Sequence, residues 1–196
     1  MKKTFFSVVI LATLLFAACK TIDDNAPEKI GVKINGVVWA PYNVAAFGTF
    51  AATPESAGKF YQWNRKTAWT VTGGITGWDS TNDKGNTWTA ANDPCPKGWR
   101  VPTWNEFRTF YDADEVELDM TTFNSIDCLR VSDKKTGKTI FLPAIGGRDR
   151  IDGSRMGEGA VGYWSSTEDN DSIAYALVGG VRIFKAYGLS VRCVAE

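Results

Sequence analysis

The sequence predicts a single α+β domain in which one short helix sits among short antiparallel strands and long loops. Three observations carry this. Val32–Trp39 alternates around Asn35-Gly36, the dipeptide that supplies the positive φ angles of a tight hairpin turn. Thr103-Trp104-Asn105-Glu106 is a capping box, with aromatic residues following at helical spacing. The last third then reads as strand after strand, an order of helix and sheet that belongs to α+β folds.

In chain order, the first hairpin continues through Tyr42-Asn43-Val44. From Gly48 to Asp93 the pattern breaks into loops dense in Gly, Thr, Asn and Trp, with Phe60–Trp63 a short strand inside them. Pro102 disfavours an earlier helix start, so the helix runs from about Trp104 to Asp112 and its aromatic stripe (Phe107, Phe110, Tyr111) faces a core. Lys138–Pro143 and Gly162–Thr167 are strands. Ile173–Val178 turns at Gly179-Gly180 into Val181–Lys185, a second hairpin. In Leu189–Cys193, Leu189, Val191 and Cys193 share one face, and Ser190 and Arg192 the other.

Lys2 and Lys3, the apolar run Phe5–Phe16 and Ala17-Ala18-Cys19 read as a signal peptide, because the run is too short for a comfortable membrane span. Ala17-Ala18-Cys19 resembles a bacterial lipobox, although Phe16 stands where an aliphatic residue is usual. Residues 1–18 are then the leader, and Cys19 is the lipidated mature N-terminus; a plain secretory signal cut elsewhere is the alternative. Residues 19–30 are polar and aperiodic and read as a flexible tether, leaving 31–196 as the globular domain. Lys20 followed by Asp23 and Asp24 is similar to, but more loosely spaced than, the surface-export signal of Bacteroidetes lipoproteins. The expected location is the outer membrane, lipid-anchored, with outward exposure the finer expectation.

The 22 basic and 22 acidic residues balance, which argues against a nucleic-acid partner. The chain has no histidine, which removes Ser-His-Asp, Cys-His and His-metal chemistry. Cys95, Cys128 and Cys193 remain after Cys19, an odd number for an oxidising compartment. The favoured reading joins Cys95 to Cys193 and leaves Cys128 unpaired and buried. Cys128 with either partner is the rival.

Asp93-Pro94-Cys95-Pro96-Lys97-Gly98-Trp99-Arg100-Val101-Pro102-Thr103 resembles the "CPxGWRLPT" signature of the Fibrobacter succinogenes major paralogous domain. Gly162–Thr167 matches that family's "GYYWSST" element and Ser190–Val194 its closing "SVRCV". Phe141-Leu142-Pro143-Ala144 with Gly146-Gly147-Arg148 is similar to its "FPAAGYR" stretch. The matches cover roughly residues 31–196. The resemblance implies a fold distantly related to C-type-lectin-like and formylglycine-generating-enzyme-like domains. Such folds pair a cysteine near a helix with one on the final strand, in agreement with Cys95–Cys193.

Three functions follow as expectations. The first is a non-catalytic binding module for a glycan or a surface protein, using Trp69, Trp78 and Trp88 in the long loops. Glu168, Asp169 and Asp171 could offer oxygen ligands to calcium, but a solvated acidic turn is the preferred reading and no metal or other cofactor is expected. The second is a structural or assembly subunit of a surface adhesin. The third is an oxidase like the formylglycine-generating enzymes, which needs a close cysteine pair where this chain offers Cys128 alone.

Overall fold

The computed structural model describes residues 31–177 and 181–196. The leader, Cys19, the tether and the Gly179-Gly180 turn lie outside the described residues. Fourteen strands and one α-helix follow in order: β1 Val32–Ile34, β2 Val37–Asn43, β3 Tyr61–Gln62, β4 Trp99–Arg100, α1 Trp104–Arg108, β5 Val116–Phe123, β6 Ile126–Asp133, β7 Thr139–Pro143, β8 Gly147–Arg148, β9 Arg155–Met156, β10 Tyr163–Asn170, β11 Ile173–Leu177, β12 Val181–Phe184, β13 Gly188–Leu189 and β14 Arg192–Ala195. They form four small antiparallel sheets, ordered β1-β2-β14-β4, β10-β11-β12, β3-β13-β8-β9 and β5-β6-β7. With one five-residue α-helix among the described residues, the domain is sheet-rich, and its helical share is smaller than the predicted α+β arrangement.

Asn35 and Gly36 turn the first hairpin at φ 40° and 84°. Thr103 Oγ1 accepts from Glu106 N while Glu106 Oε2 accepts from Thr103 N at 2.7 Å, closing the capping box. The helix then tightens into a single 3₁₀ turn, Thr109–Tyr111, so it ends just short of the predicted Asp112. Phe107 and Phe110 are buried against Trp39, whereas Tyr111 is exposed.

The largest departure is β5–β6, a hairpin of two eight-residue strands where no strand is predicted. Asn124 and Ser125 make its turn at φ 46° and 66°. A second departure concerns Ser190 and Arg192. They lie on the face opposite Cys193, yet both are fully buried because the last strand is covered on both sides. Arg192 Nη1 donates to the carbonyls of Ala40 and Pro41, Nη2 to that of Phe141, and Nε and Nη2 to Asn43 Oδ1. Its five donors in a fixed fork thereby serve three backbone carbonyls on β2 and β7 and the Asn43 side chain.

Candidate functional site

Phe60 and Trp69 exchange backbone hydrogen bonds at 3.0 and 2.8 Å, which sets Trp69 at the start of the long loop. At the loop's end Trp78 lies across two glycines. A Cβ on Gly188 would sit 2.9 Å from Trp78 Cη2 and one on Gly153 2.7 Å from Cδ2, so the indole fits only because both positions lack a side chain. Trp78 Nε1 donates to the Arg150 carbonyl at 3.2 Å. The two indoles meet at 5.0 Å between ring centroids, tilted by 51°, and both are half-buried.

Arg148 fixes this loop to the scaffold. The residue is fully buried on β8, and its guanidinium donates to the carbonyls of Thr70 (2.8 Å), Thr72 (3.2 Å), Gly73 (2.9 Å) and Gly153 (2.6 Å). Burial lowers its pKa, but a guanidinium stays protonated, so the clamp does not titrate in the physiological range. Below the pair, Gln62 Nε2 donates to the Asp79 carbonyl, and Asp79 is ion-paired with Arg65. Hydrogen bonds from Thr81, with Arg65 adding its own, lower the Asp79 carboxyl to about 2.

Beyond Trp78 the surface continues over the turn at 149–153. The Arg150 guanidinium lies 4.5 Å from the Phe184 ring centroid. Phe184 is 37% exposed, and neighbouring Ile151 is 66% exposed, the highest value among the exposed large apolar residues. Aromatic and cationic groups therefore meet beside Trp78.

Of the three tryptophans expected at a ligand surface, Trp69 and Trp78 come together and Trp88 does not join them. Trp88 is 7% exposed, packs edge-on against Trp63 at 5.5 Å and donates to the Asn92 carbonyl. Glu168, Asp169 and Asp171 do not converge. Glu168 accepts from the buried Lys185 Nζ at 3.0 Å, Asp169 accepts from Tyr175 Oη and Arg182, and Asp171 stands in the β10–β11 turn. Among the described residues no three such groups are placed to hold a metal ion. Cys95 and Cys193 form a disulfide, and Cys128 is unpaired and buried, where burial raises its thiol pKa.

Arg150, Ile151 and Phe184 were not among the residues expected at a site, and Arg148 was expected only as part of the "FPAAGYR"-like stretch. The alternating charges of Arg148-Asp149-Arg150 were a usable signal of a charged turn, though not of the burial of Arg148 beneath the loop.

The signature segments all lie inside the scaffold: Cys95 and Trp99 against the last strand, Tyr163 and Trp164 in the core, and Arg192 in its cage of carbonyls. A family model described as the Fibrobacter succinogenes major domain matches residues 32–195. The chain belongs to the Fibrobacter succinogenes major domain family. Within this member of the family, the Trp69–Trp78 loop falls between the signature segments rather than in any of them. No curated protein and no solved structure matches the chain.

Proposed function

We propose that this protein is a lipid-anchored binding module of the outer membrane, and that its Trp69–Trp78 surface holds the ligand, a glycan. The observation that carries the reading is the pair of half-exposed indoles locked to the sheet by a buried guanidinium. Preformed aromatic faces stack on sugar rings at little ordering cost.

The chain path supports an outward-directed surface. A Cβ on Gly31, where the tether joins, would meet Trp99 at 3.1 Å, and Glu196 N donates to the Gly98 carbonyl beside it. The nearly continuous extended run from Gly188 under Trp78 to Ala195 beside Trp99 spans roughly 20 Å at about 3.3 Å per residue. The indoles thus lie toward the far end of that run from Gly31, where the tether would join.

The helix-adjacent cysteine joined to the last strand supports a C-type-lectin-like ancestry. The buried, solitary Cys128 favours binding over oxidase chemistry. An assembly role is the second reading. It rests on β5, an eight-residue edge strand that leaves Met120 56% exposed.

A glycan array with the soluble domain tests the main reading, with Trp69→Ala and Trp78→Phe as companions. Binding by the wild type that both variants weaken supports it, and equal binding by all three refutes it. Stoichiometric crosslinking of the domain to copies of itself on cells would favour assembly. Labelled palmitate entering the wild type and not Cys19→Ser tests the anchor.

A further inference from the structure

We infer that two copies of this protein pair edge to edge through β5, antiparallel about a two-fold axis at Met120, and so join their β5-β6-β7 sheets into one. The inference develops the assembly reading above and is independent of the indole surface.

β5 and β10 are both edge strands of eight residues, and they differ in what covers them. β10 is broken by two register shifts against β11, and its backbone is met from outside the sheet: Trp164 N donates to the Ser190 carbonyl and Ser166 N to that of Pro102. β5 pairs with β6 residue for residue from Val116 to Phe123, with no bulge. It carries neither proline nor lysine, the residues that commonly close an edge.

The ladder fixes which of its backbone groups are free. Lys134 N donates to the Glu115 carbonyl directly opposite, so the alternation of an antiparallel pair turns Glu117, Asp119, Thr121 and Phe123 toward β6. Val116 N points the other way and is taken by the Asp112 carbonyl at 2.8 Å. Leu118, Met120 and Thr122 therefore direct an N–H and a C=O each to the open edge, and no group among the described residues bonds to them there. Met120, at the centre of this set, is 56% exposed.

The set is complementary to itself. With Met120 opposite Met120 of the second copy, Leu118 faces Thr122 of the second copy, and every free N–H on each strand meets a free C=O on the other. Asp119, ion-paired with Arg130 at 2.7 Å in its own sheet, then faces Thr121 of the second copy, and Glu117 faces Phe123 of the second copy. Sliding one strand by two residues in one direction sets Asp119 against Asp119 of the second copy, and like charges directly opposite destabilise a strand pair. Sliding it the other way carries Leu118 past the strand's end, against Asn124 in the turn. One register thus satisfies the backbone and separates the charges. Because Met120 lies opposite Leu129 on β6, the same register also covers the exposed Met120 side chain with its own copy.

Cysteine pairing in the full chain, purified in detergent and treated with copper phenanthroline, tests the register. In Met120→Cys the two thiols meet on the axis, where opposed bonded residues have Cα atoms about 5.5 Å apart, inside the disulfide range. In Thr122→Cys they are displaced by about 13 Å along the strands. The wild type, with Cys128 buried, is the background, and every variant is first checked for a native thermal transition. The expected result is a linked dimer of Met120→Cys in about tenfold excess over Thr122→Cys. Sedimentation equilibrium up to about 1 mM, a range suited to a contact as small as one strand pair, should show a wild-type dimer that Met120→Lys weakens about tenfold. Equal linking of both cysteines is collision of exposed thiols and overturns the pairing. A wild type that stays monomeric, with no linked Met120→Cys, also overturns it. Dimers that Met120→Lys leaves intact overturn the β5 contact while leaving assembly through another face.

Discussion

Replacing Arg148 by Met tests whether the tryptophan loop is held by one side chain. Met fills much of the same space but provides no donor, so the four carbonyls that Arg148 serves lose their partner together. Their fates differ. Thr72 and Gly73 are exposed and Thr70 is half-buried, so water can reach these three once the loop loosens. Gly153 is buried, and its carbonyl, at 2.6 Å from Nη1, is the one left unmet. An orphaned buried carbonyl costs about 1–3 kcal/mol, and releasing a charge from the interior returns part of its desolvation penalty.

A net loss of about 1–2 kcal/mol follows, which for a domain of this size lowers Tm by roughly 2–8 °C. The same variant should be cut by proteinase K within residues 70–77 at concentrations that spare the wild type, because the loop is then tied only at Phe60–Trp69 and at Trp78. Arg148→Lys should recover little, since a compact ammonium cannot span four carbonyls spread about a planar fork. A Tm within 2 °C of the wild type, with the loop as resistant as before, would refute the clamp and with it the claim that the indole pair is preformed.

Three further outcomes are expected. Cys95 and Cys193 stand 98 residues apart, so in the chain-entropy picture losing the bridge through Cys95→Ser with Cys193→Ser costs about 4–5 kcal/mol; calorimetry with and without the pair measures it. Cys128 should resist a thiol reagent in the native protein and react once urea unfolds it, whereas prompt native labelling would contradict its burial. Asp79, at about 2, and Glu106, where hydrogen bonds from Arg100 and Thr103 outweigh an opposing burial effect, both titrate below their ordinary values. A depressed acid contributes stability above its unfolded pKa and loses it as pH falls through the folded one. Urea midpoints should therefore drop between about pH 4.5 and pH 2, although Asp93, raised by burial, pulls the other way. Arg65→Met should flatten the Asp79 part of that drop, and an unchanged pH profile would count against the pairing.

Local signals were legible where one dipeptide or one box decides the backbone. Asn35-Gly36 and Thr103–Glu106 did so, and both form as read. The β5–β6 hairpin escaped because its turn is Asn-Ser rather than Asn-Gly, and because Glu117, Asp119 and Asp127 dilute the alternation of Val116, Leu118 and Val131. Arg192 escaped for a different reason. Two-fold alternation assumes one wet face, and nothing local reveals that a strand is covered on both sides. The pairing of Trp69 with Trp78 and the removal of Trp88 into the core depend on which loop folds over which glycine. Sequence spacing among tryptophans does not contain that information.

The two buried arginines explain why the family's signature marks a scaffold and leaves the ligand open. Long irregular loops expose carbonyls without ladder partners, and a small domain must satisfy each of them or keep it wet. Arg148, at the end of the "FPAAGYR"-like stretch, does this for the tryptophan loop, and Arg192, in the "SVRCV" segment, does the same for strand carbonyls, those of Ala40 and Pro41 on β2 and of Phe141 on β7. Both use carbonyl cages in place of a carboxylate, so each adds a positive charge that the interior does not cancel. At Arg192 that charge is enclosed, where it meets Tyr163, whose hydroxyl burial raises to about 12. At Arg148 it lies one loop beneath a surface of paired indoles and Arg150. The same structural device thus closes the core at Arg192 and, at Arg148, holds a surface loop in place.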